Sequence, residues 1–135
     1  MLTVMKPLRI LIASAALLTG PVLALWATPA SASGSGAVER TGNCSGSADW
    51  DLKAKLRDGR WEVEWEVDTN RNGQAWGYAL RQNGAVIAQG TRTTHAPSGS
   101  FSVERRAPNT AGPDTFVGTS RNPRTGQTCR GTLTV

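Results

Sequence analysis

The chain has 135 residues, with 15 Lys and Arg against 10 Asp and Glu, and it contains one histidine and two cysteines. Most of the basic residues are arginines that are scattered along the sequence. Nucleic-acid binding calls for basic residues clustered with exposed aromatic ones, so we expect no nucleic-acid partner.

The first 32 residues have the organisation of a secretory signal peptide. Two basic residues precede an apolar run at 10–25, and Ala30 and Ala32 occupy the −3 and −1 positions of an A-x-A cleavage site. A transmembrane anchor is the alternative, but the run is short and Thr-Gly-Pro interrupts it at 19–21. We therefore expect a secreted, extracellular protein that starts at Ser33 and has no membrane attachment after cleavage.

Export changes the interpretation of the two cysteines. Cys44 and Cys129 lie near opposite ends of the mature chain, and in an oxidising compartment such a pair predicts a disulfide. Closing so long a loop would restrict the unfolded chain by roughly 4.5 kcal/mol in the entropic model.

The segment 33–43 begins with Ser-Gly-Ser-Gly and has no apolar periodicity. It therefore predicts a flexible leader before a single domain at 44–135.

A period of two begins at Trp50 and predicts two strands that meet at the turn Asp58-Gly59. In this hairpin every apolar residue faces an apolar one. The predicted pairs are Leu56 with Trp61, Ala54 with Val63, Leu52 with Trp65, and, on the solvated face, Lys55 with Glu62 and Lys53 with Glu64.

Asn83-Gly84 predicts a second hairpin that joins 74–82 to 85–93. Its predicted register sets Leu80 against Ile87, Tyr78 against Gln89 and Trp76 against Thr91. Weaker patterns predict further strands at 100–105, 114–120 and 127–135. Seven short strands paired as hairpin, crossing, hairpin, two crossings and hairpin predict an all-β fold, a seven-stranded two-sheet Greek-key sandwich.

This hairpin order resembles an immunoglobulin-like fold of fibronectin type III character. Residues 113–135, PDTFVGTSRNPRTGQTCRGTLTV, resemble the closing hairpin of bacterial immunoglobulin-like modules. The chain as a whole, with its signal peptide, is similar to small secreted actinobacterial proteins that carry no assigned activity. The resemblance implies an immunoglobulin-like β-sandwich, but such a fold does not by itself imply a function.

Residues Asp68, Asn70 and Asn72, followed by Gly73, match the opening of a calcium-binding loop. Position 12 of that loop would be Ala79 rather than a bidentate Glu. We therefore expect an Asx-rich connection between strands, with weak calcium binding as the alternative, and we expect no cofactor.

Catalytic residues are not indicated. The only histidine, His95, lies among turn formers, and no nucleophile-elbow motif surrounds the nearby Ser98. Glu62, Glu64 and Glu66 share a sheet face with lysines, so we expect them to ionise normally. Alternation places four tryptophans on apolar strand faces, which favours core packing over a carbohydrate platform. They are Trp50, Trp61, Trp65 and Trp76.

The second hairpin differs from the first because small residues replace charged ones on its outer face. We interpret this face as a candidate binding surface, rimmed by two arginines. It consists of Ala75, Gly77, Ala79, Arg81, Ala88, Gly90 and Arg92.

These features together predict a non-enzymatic extracellular interaction module. Its partner would be an unknown extracellular protein or a cell-wall component, and the module itself a monomer or a weak homo-oligomer. The alternative is a polysaccharide-binding or protease-inhibitor domain that acts through its loops at 68–74, 94–99 and 106–113.

Overall fold

A computed structural model describes residues 36–135. This part of the chain consists of eight β-strands joined by turns and loops. The strands are β1 (Val38–Asn43), β2 (Asp49–Arg57), β3 (Arg60–Asp68), β4 (Ala75–Gln82), β5 (Ala85–Thr93), β6 (Ser100–Pro108), β7 (Thr115–Arg121) and β8 (Thr128–Thr134). Within these residues no helix is long and apolar enough to cross a membrane.

The strands form two antiparallel sheets. The first sheet has the order β1-β2-β3-β6 and the second has the order β5-β4-β7-β8. Along the chain, the hairpin β2–β3 is followed by a crossing, the hairpin β4–β5, two crossings through β6, and the hairpin β7–β8. The predicted all-β sandwich and its sequence of hairpins and crossings are therefore confirmed, with eight strands instead of seven.

The additional strand, β1, occupies residues that were predicted to be a flexible leader. It pairs with β2, with Val38 opposite Ala54 and Gly42 opposite Trp50. Most of its side chains are exposed and Val38 is its only large apolar residue, which explains why it shows no alternating pattern. The leader prediction is wrong for 38–43. The predicted signal peptide at 1–32 and the start at Ser33 lie outside the described residues.

The first hairpin has the predicted register at every position. Leu52 lies opposite Trp65, Ala54 opposite Val63 and Leu56 opposite Trp61. Asp58 and Gly59 both have positive φ angles, 51° and 72°, as the type I′ turn of a two-residue hairpin requires.

The core lies between the two sheets, and Trp65 is at its centre. The side chain of Trp65 is fully buried, and its Nε1–H donates a 2.7 Å hydrogen bond to Oγ of Ser120 on the opposite sheet. Its ring stacks on Trp50 at 5.7 Å between centroids. A Cβ at Gly118 would overlap the indole of Trp65, so the second sheet needs glycine there to admit this ring.

The predicted disulfide between Cys44 and Cys129 is confirmed. Cys44 follows β1 and Cys129 lies in β8, so the bond connects the first sheet to the second. It complements the apolar core in holding the two layers together.

The second hairpin contains a β-bulge that the sequence did not predict. Near the turn the register is as expected, with Gln82 opposite Ala85 and Arg81 opposite Val86. The register then shifts between Leu80 and Arg81, leaving Ile87 without a partner.

Beyond the bulge every pair differs from prediction by one residue. Leu80 lies opposite Ala88, Tyr78 opposite Gly90 and Trp76 opposite Arg92. The predicted partners Ile87, Gln89 and Thr91 are therefore wrong, because an extra residue in one strand moves the following side chains to the other face.

Candidate functional site

The bulge divides the residues of the predicted binding surface between the two faces of the second sheet. Trp76, Leu80 and Gln82 are buried, so the alternate residues of β4 lie on the outer face. The outward residues of β4 are Ala75, Gly77, Ala79 and Arg81. On β5, three residues lie opposite inward residues of β4 and therefore belong to the inner face, namely Ala88, Gly90 and Arg92.

The residues on the inner side have packing roles. Ala88 belongs to the core and is 5% exposed. A Cβ at Gly90 would lie 3.3 Å from the hydroxyl of Tyr78, and the guanidinium carbon of Arg92 lies 5.9 Å from the centroid of the Tyr78 ring. The predicted register placed these three residues on the outer face together with Ala79, and this prediction is wrong because the bulge places them on the inner face.

The outward residues of β4 border a hollow of about 440 Å³ on the outer face of the second sheet. Gly77 lies opposite Arg121, and Ala79 lies opposite Thr119. Because Gly77 has no side chain and Ala79 has only a methyl group, they leave space beside the longer side chains of β7 and β8. The hollow, called here the arginine hollow, is lined by Gly77, Tyr78, Ala79, Thr119, Ser120, Arg121, Thr128, Cys129 and Arg130.

The arginine hollow carries positive charge without a compensating carboxylate. The strands β4, β5, β7 and β8 contain no Asp or Glu. Arg121 lies opposite Thr128, so Arg130 is its diagonal neighbour, with about 7–8 Å expected between the Cα positions. Within residues 36–135 the salt bridges are Lys53–Glu39 and Arg57–Glu62, so both guanidinium groups remain available to an anionic group.

The outer face of the first sheet carries a second hollow, of about 340 Å³, with the opposite charge. Asp51 lies opposite Glu66, and Asp49 lies opposite Asp68. All four carboxylates line the cavity together with uncharged residues, and it is called here the acidic hollow.

Burial, with added repulsion from neighbouring carboxylates, raises the pKa of two carboxyl groups in the acidic hollow. Burial raises the pKa of Asp51 to about 6, and a hydrogen bond and repulsion from Glu39 add to this effect. Burial, followed by repulsion from Glu64 and Asp68, also raises the pKa of Glu66. The expectation of normal ionisation is therefore wrong for Glu66, because burial and then its acidic neighbours outweigh the nearby Lys53.

A buried carboxylate that the sequence did not single out, Asp114, organises the opposite end of the sandwich. It is 1% exposed and accepts hydrogen bonds from Trp61 Nε1, Gln82 Nε2, Asn83 Nδ2 and both the amide and the hydroxyl of Thr110. Burial alone would raise its pKa, but the hydrogen bonds from Thr110, Gln82 and Trp61 lower the pKa well below its ordinary value. Such a carboxylate holds strands together and does not exchange protons near neutral pH.

His95 and Ser98 are exposed in the connection between β5 and β6. The amide of His95 donates to the carbonyl of Ser100, while the hydroxyl of Ser98 lies 2.7 Å from the hydroxyl of Ser100. The serine hydroxyl is thus paired with a second serine and not with the imidazole.

The calcium-loop candidate forms the connection between β3 and β4. Asp68 ends β3, and its Oδ1 accepts a 3.0 Å hydrogen bond from the amide of Asn70, which is the pattern of an Asx turn. Asn70 has a φ of 56° and is exposed, as is Asn72. The loop is anchored by Thr69, whose hydroxyl donates to the carbonyl of Gly99.

The four tryptophans in the described part of the chain face the core, as their alternation predicted. Trp65 and Trp76 are fully buried, whereas Trp50 and Trp61 are half-buried and pack against the core. The rings of Trp50 and Trp61 also contact other aromatic rings, Trp65 and Phe116 respectively.

Four residues of the arginine hollow are not predicted as site residues from the sequence, namely Thr119, Arg121, Thr128 and Arg130. The distribution of charge along the sequence nevertheless indicates a basic surface in this part of the domain. Only Glu104 and Asp114 are acidic after residue 68, so the second half of the domain is arginine-rich and almost without carboxylates.

Comparison with known proteins adds no template for this site. The chain matches no protein-family model, no curated protein and no solved structure.

Proposed function

We propose that this protein is a secreted, non-enzymatic interaction module that contacts an extracellular protein or a cell-envelope component through the arginine hollow. The single observation that carries the proposal is the hollow of about 440 Å³ on an outer sheet face, with Arg121 and Arg130 unpaired at its border. Arginines whose donors are unused are common anchors of protein contacts.

The non-enzymatic part of the proposal is supported by how the titratable groups are used. Both carboxylate oxygens of Asp114 accept hydrogen bonds from neighbouring strands and loops. Asp51 and Glu66 lie on an open sheet face. His95 is exposed and lies in a loop. General acid–base chemistry needs such groups to converge on one enclosed cavity.

The domain is proposed to be immunoglobulin-like, of fibronectin type III character. The order β2-β3-β6 in one layer and β5-β4-β7-β8 in the other supports this assignment, with β1 as an additional edge strand. Export is supported by the disulfide, which is stable in an oxidising compartment.

A second candidate function uses the loops to bind a polysaccharide or a protease. The observation in its favour is a cavity of about 280 Å³ between the β3–β4 and β7–β8 connections, lined by Gly73, Gln74, Ala75, Asn122, Arg124 and Thr125. The buried positions of the tryptophans do not support a stacking platform for sugars.

A matched pair of substitutions distinguishes the two candidates. Ala79→Glu places a carboxylate in the arginine hollow, where it would pair with the free guanidinium groups. Thr125→Glu introduces the same charge at an exposed residue of the β7–β8 connection that lines the cavity of the second candidate. Both variants and the wild type are immobilised, and culture fluid and solubilised cell wall of the producing organism are passed over them.

We expect wild type and Thr125→Glu to retain the same species and Ala79→Glu to lose it. Circular dichroism melts check that both variants are folded. Retention by Ala79→Glu together with loss by Thr125→Glu would reject the arginine hollow and favour the loops.

A further inference from the structure

The acidic residues of this sandwich are segregated to one layer, whereas basic residues occur in the strands of both. Of the ten acidic residues in the chain, eight lie in the strands of the first sheet and none in the strands of the second. The eight are Glu39, Asp49, Asp51, Glu62, Glu64, Glu66, Asp68 and Glu104. Each molecule therefore presents an acidic hollow on one outer face and an arginine hollow on the other.

We propose that the arginine hollow of one molecule binds the acidic hollow of a second copy, so that the second sheet of one domain packs on the first sheet of the next. This inference rests on the proposed function of the arginine hollow as a contact surface, and it names the partner of that surface.

Both hollows present their charges with the same spacing. On the first sheet the cross-strand pairs Asp51–Glu66 and Asp49–Asp68 are two residues apart along the strands. On the second sheet, Arg121 is opposite Thr128, and Arg130 lies two residues further along β8. Two residues of a strand span about 6.7 Å. The two carboxylate pairs are therefore separated by the same distance along the strands as the two arginines, so each arginine can contact one pair.

The chemistry of the two groups suits such a contact. The planar guanidinium group of an arginine can bind a carboxylate through two parallel hydrogen bonds. The carboxylates of the acidic hollow lie opposite one another in like-charged pairs, Asp51 with Glu66 and Asp49 with Asp68, and like charges directly opposite are unfavourable. Cations from a neighbouring molecule would relieve this repulsion.

The geometry of the sandwich sets the form of the assembly. Because the two hollows lie on opposite outer faces, the contact is heterologous and leaves one free hollow at each end, so that open chains form rather than closed dimers. A four-stranded face of about 19 Å by 20 Å offers about 400 Å² per partner, half the area of a standard interface. The association should therefore be weak, reversible and sensitive to salt.

The acidic hollow also gives the assembly a pH dependence. Asp51 is faced by Glu39 from β1 and by Glu66 from β3, with Asp49 and Lys53 nearest on its own strand. Its pKa is about 6, so lowering the pH from about 7.5 to 5 neutralises it and removes negative charge from the hollow. Stacking should weaken over this interval.

Sedimentation velocity of the exported protein tests the proposal. Wild type is compared with Arg121→Glu/Arg130→Glu, which reverses the arginine hollow, and with Glu66→Lys, which alters the acidic hollow. Arg105→Glu, an exposed arginine outside both hollows, is the matched control. Circular dichroism melts verify that all variants are folded.

We expect the mean mass of wild type and Arg105→Glu to rise with concentration at about 20 mM salt and to return to that of the monomer at about 0.5 M. Each hollow variant alone should associate at least about tenfold more weakly. In an equimolar mixture, Arg121→Glu/Arg130→Glu supplies an intact acidic hollow and Glu66→Lys supplies an intact arginine hollow. The mixture should form dimers, and these should not grow because their remaining hollows are both altered.

Wild type that stays monomeric at all salt concentrations, or a mixture that stays monomeric, would overturn the stacking proposal. If monomeric wild type instead binds polyglutamate or polyphosphate through Arg121 and Arg130, the partner is an external polyanion and not a second copy. In either case, loss of envelope retention by Ala79→Glu would still uphold the proposed function, which separates the two failures.

Discussion

Replacing Trp65 by alanine should remove one of the two largest fully buried side chains of the core. The indole is fully buried between the sheets, and truncating such a side chain typically costs about 3 to 5 kcal/mol. The variant also loses the hydrogen bond to Ser120, which leaves a nearly buried hydroxyl without this donor and adds about 1 kcal/mol. A domain of this size is stable by only about 5 to 15 kcal/mol, so the loss should be severe.

Glu64→Ala is the matched control because Glu64 precedes Trp65 on the same strand and faces the opposite way. It is half-exposed and lies opposite Lys53 and Glu104, so its loss should cost under about 1 kcal/mol. Urea unfolding followed by circular dichroism measures both free energies. Equal losses for the two variants would refute the assignment of inner and outer faces.

Three further predictions concern the packing and the bonds that join the layers. Gly118→Ala should destabilise the domain by about 1 to 3 kcal/mol because its Cβ overlaps Trp65, and Trp65→Leu should reduce that cost in a double-mutant cycle. Asp114→Ala should cost about 3 kcal/mol or more at pH 7, since it leaves buried donors of Trp61 and Gln82 unpaired. Because the pKa of Asp114 is lowered on folding, its stabilisation is present above the unfolded pKa of about 4 and is lost progressively as the pH falls below that value. The difference between the urea midpoints of wild type and variant should therefore narrow as the pH falls from about 4 to 2, and a constant difference would contradict this role. Reducing Cys44–Cys129 should lower stability by up to about 4.5 kcal/mol, and an unchanged urea midpoint would show that the bond does not restrain the unfolded chain.

The first hairpin could be predicted completely because turn and periodicity agree. Asp58-Gly59 fixes the register locally, and the alternation of β2 and β3 buries the same residues that this register pairs. In the second hairpin, Asn83-Gly84 fixes only the pairs next to the turn. The bulge at Ile87 depends on packing that a single strand does not encode, because Tyr78 lies against Gly90 across the hairpin.

The candidate site could be predicted only in part for a similar reason. The small residues Gly77 and Ala79 are visible in β4, but Arg121 and Arg130 join them only because β4 pairs with β7 and β7 with β8. Pairing of β4 with β7 joins segments that are distant along the chain, so it follows from the topology and not from local pattern. Strand β1 was missed because an exposed edge strand needs few apolar residues.

The most direct test of the proposed contact surface is a map of amide chemical-shift changes when the ¹⁵N-labelled protein is mixed with the extracellular fraction that it retains. The arginine hollow predicts that the largest changes occur at Gly77, Ala79, Thr119, Arg121 and Arg130. Changes confined to the loops at 68–74, 94–99, 106–113 and 122–125, with these five amides unaffected, would contradict it.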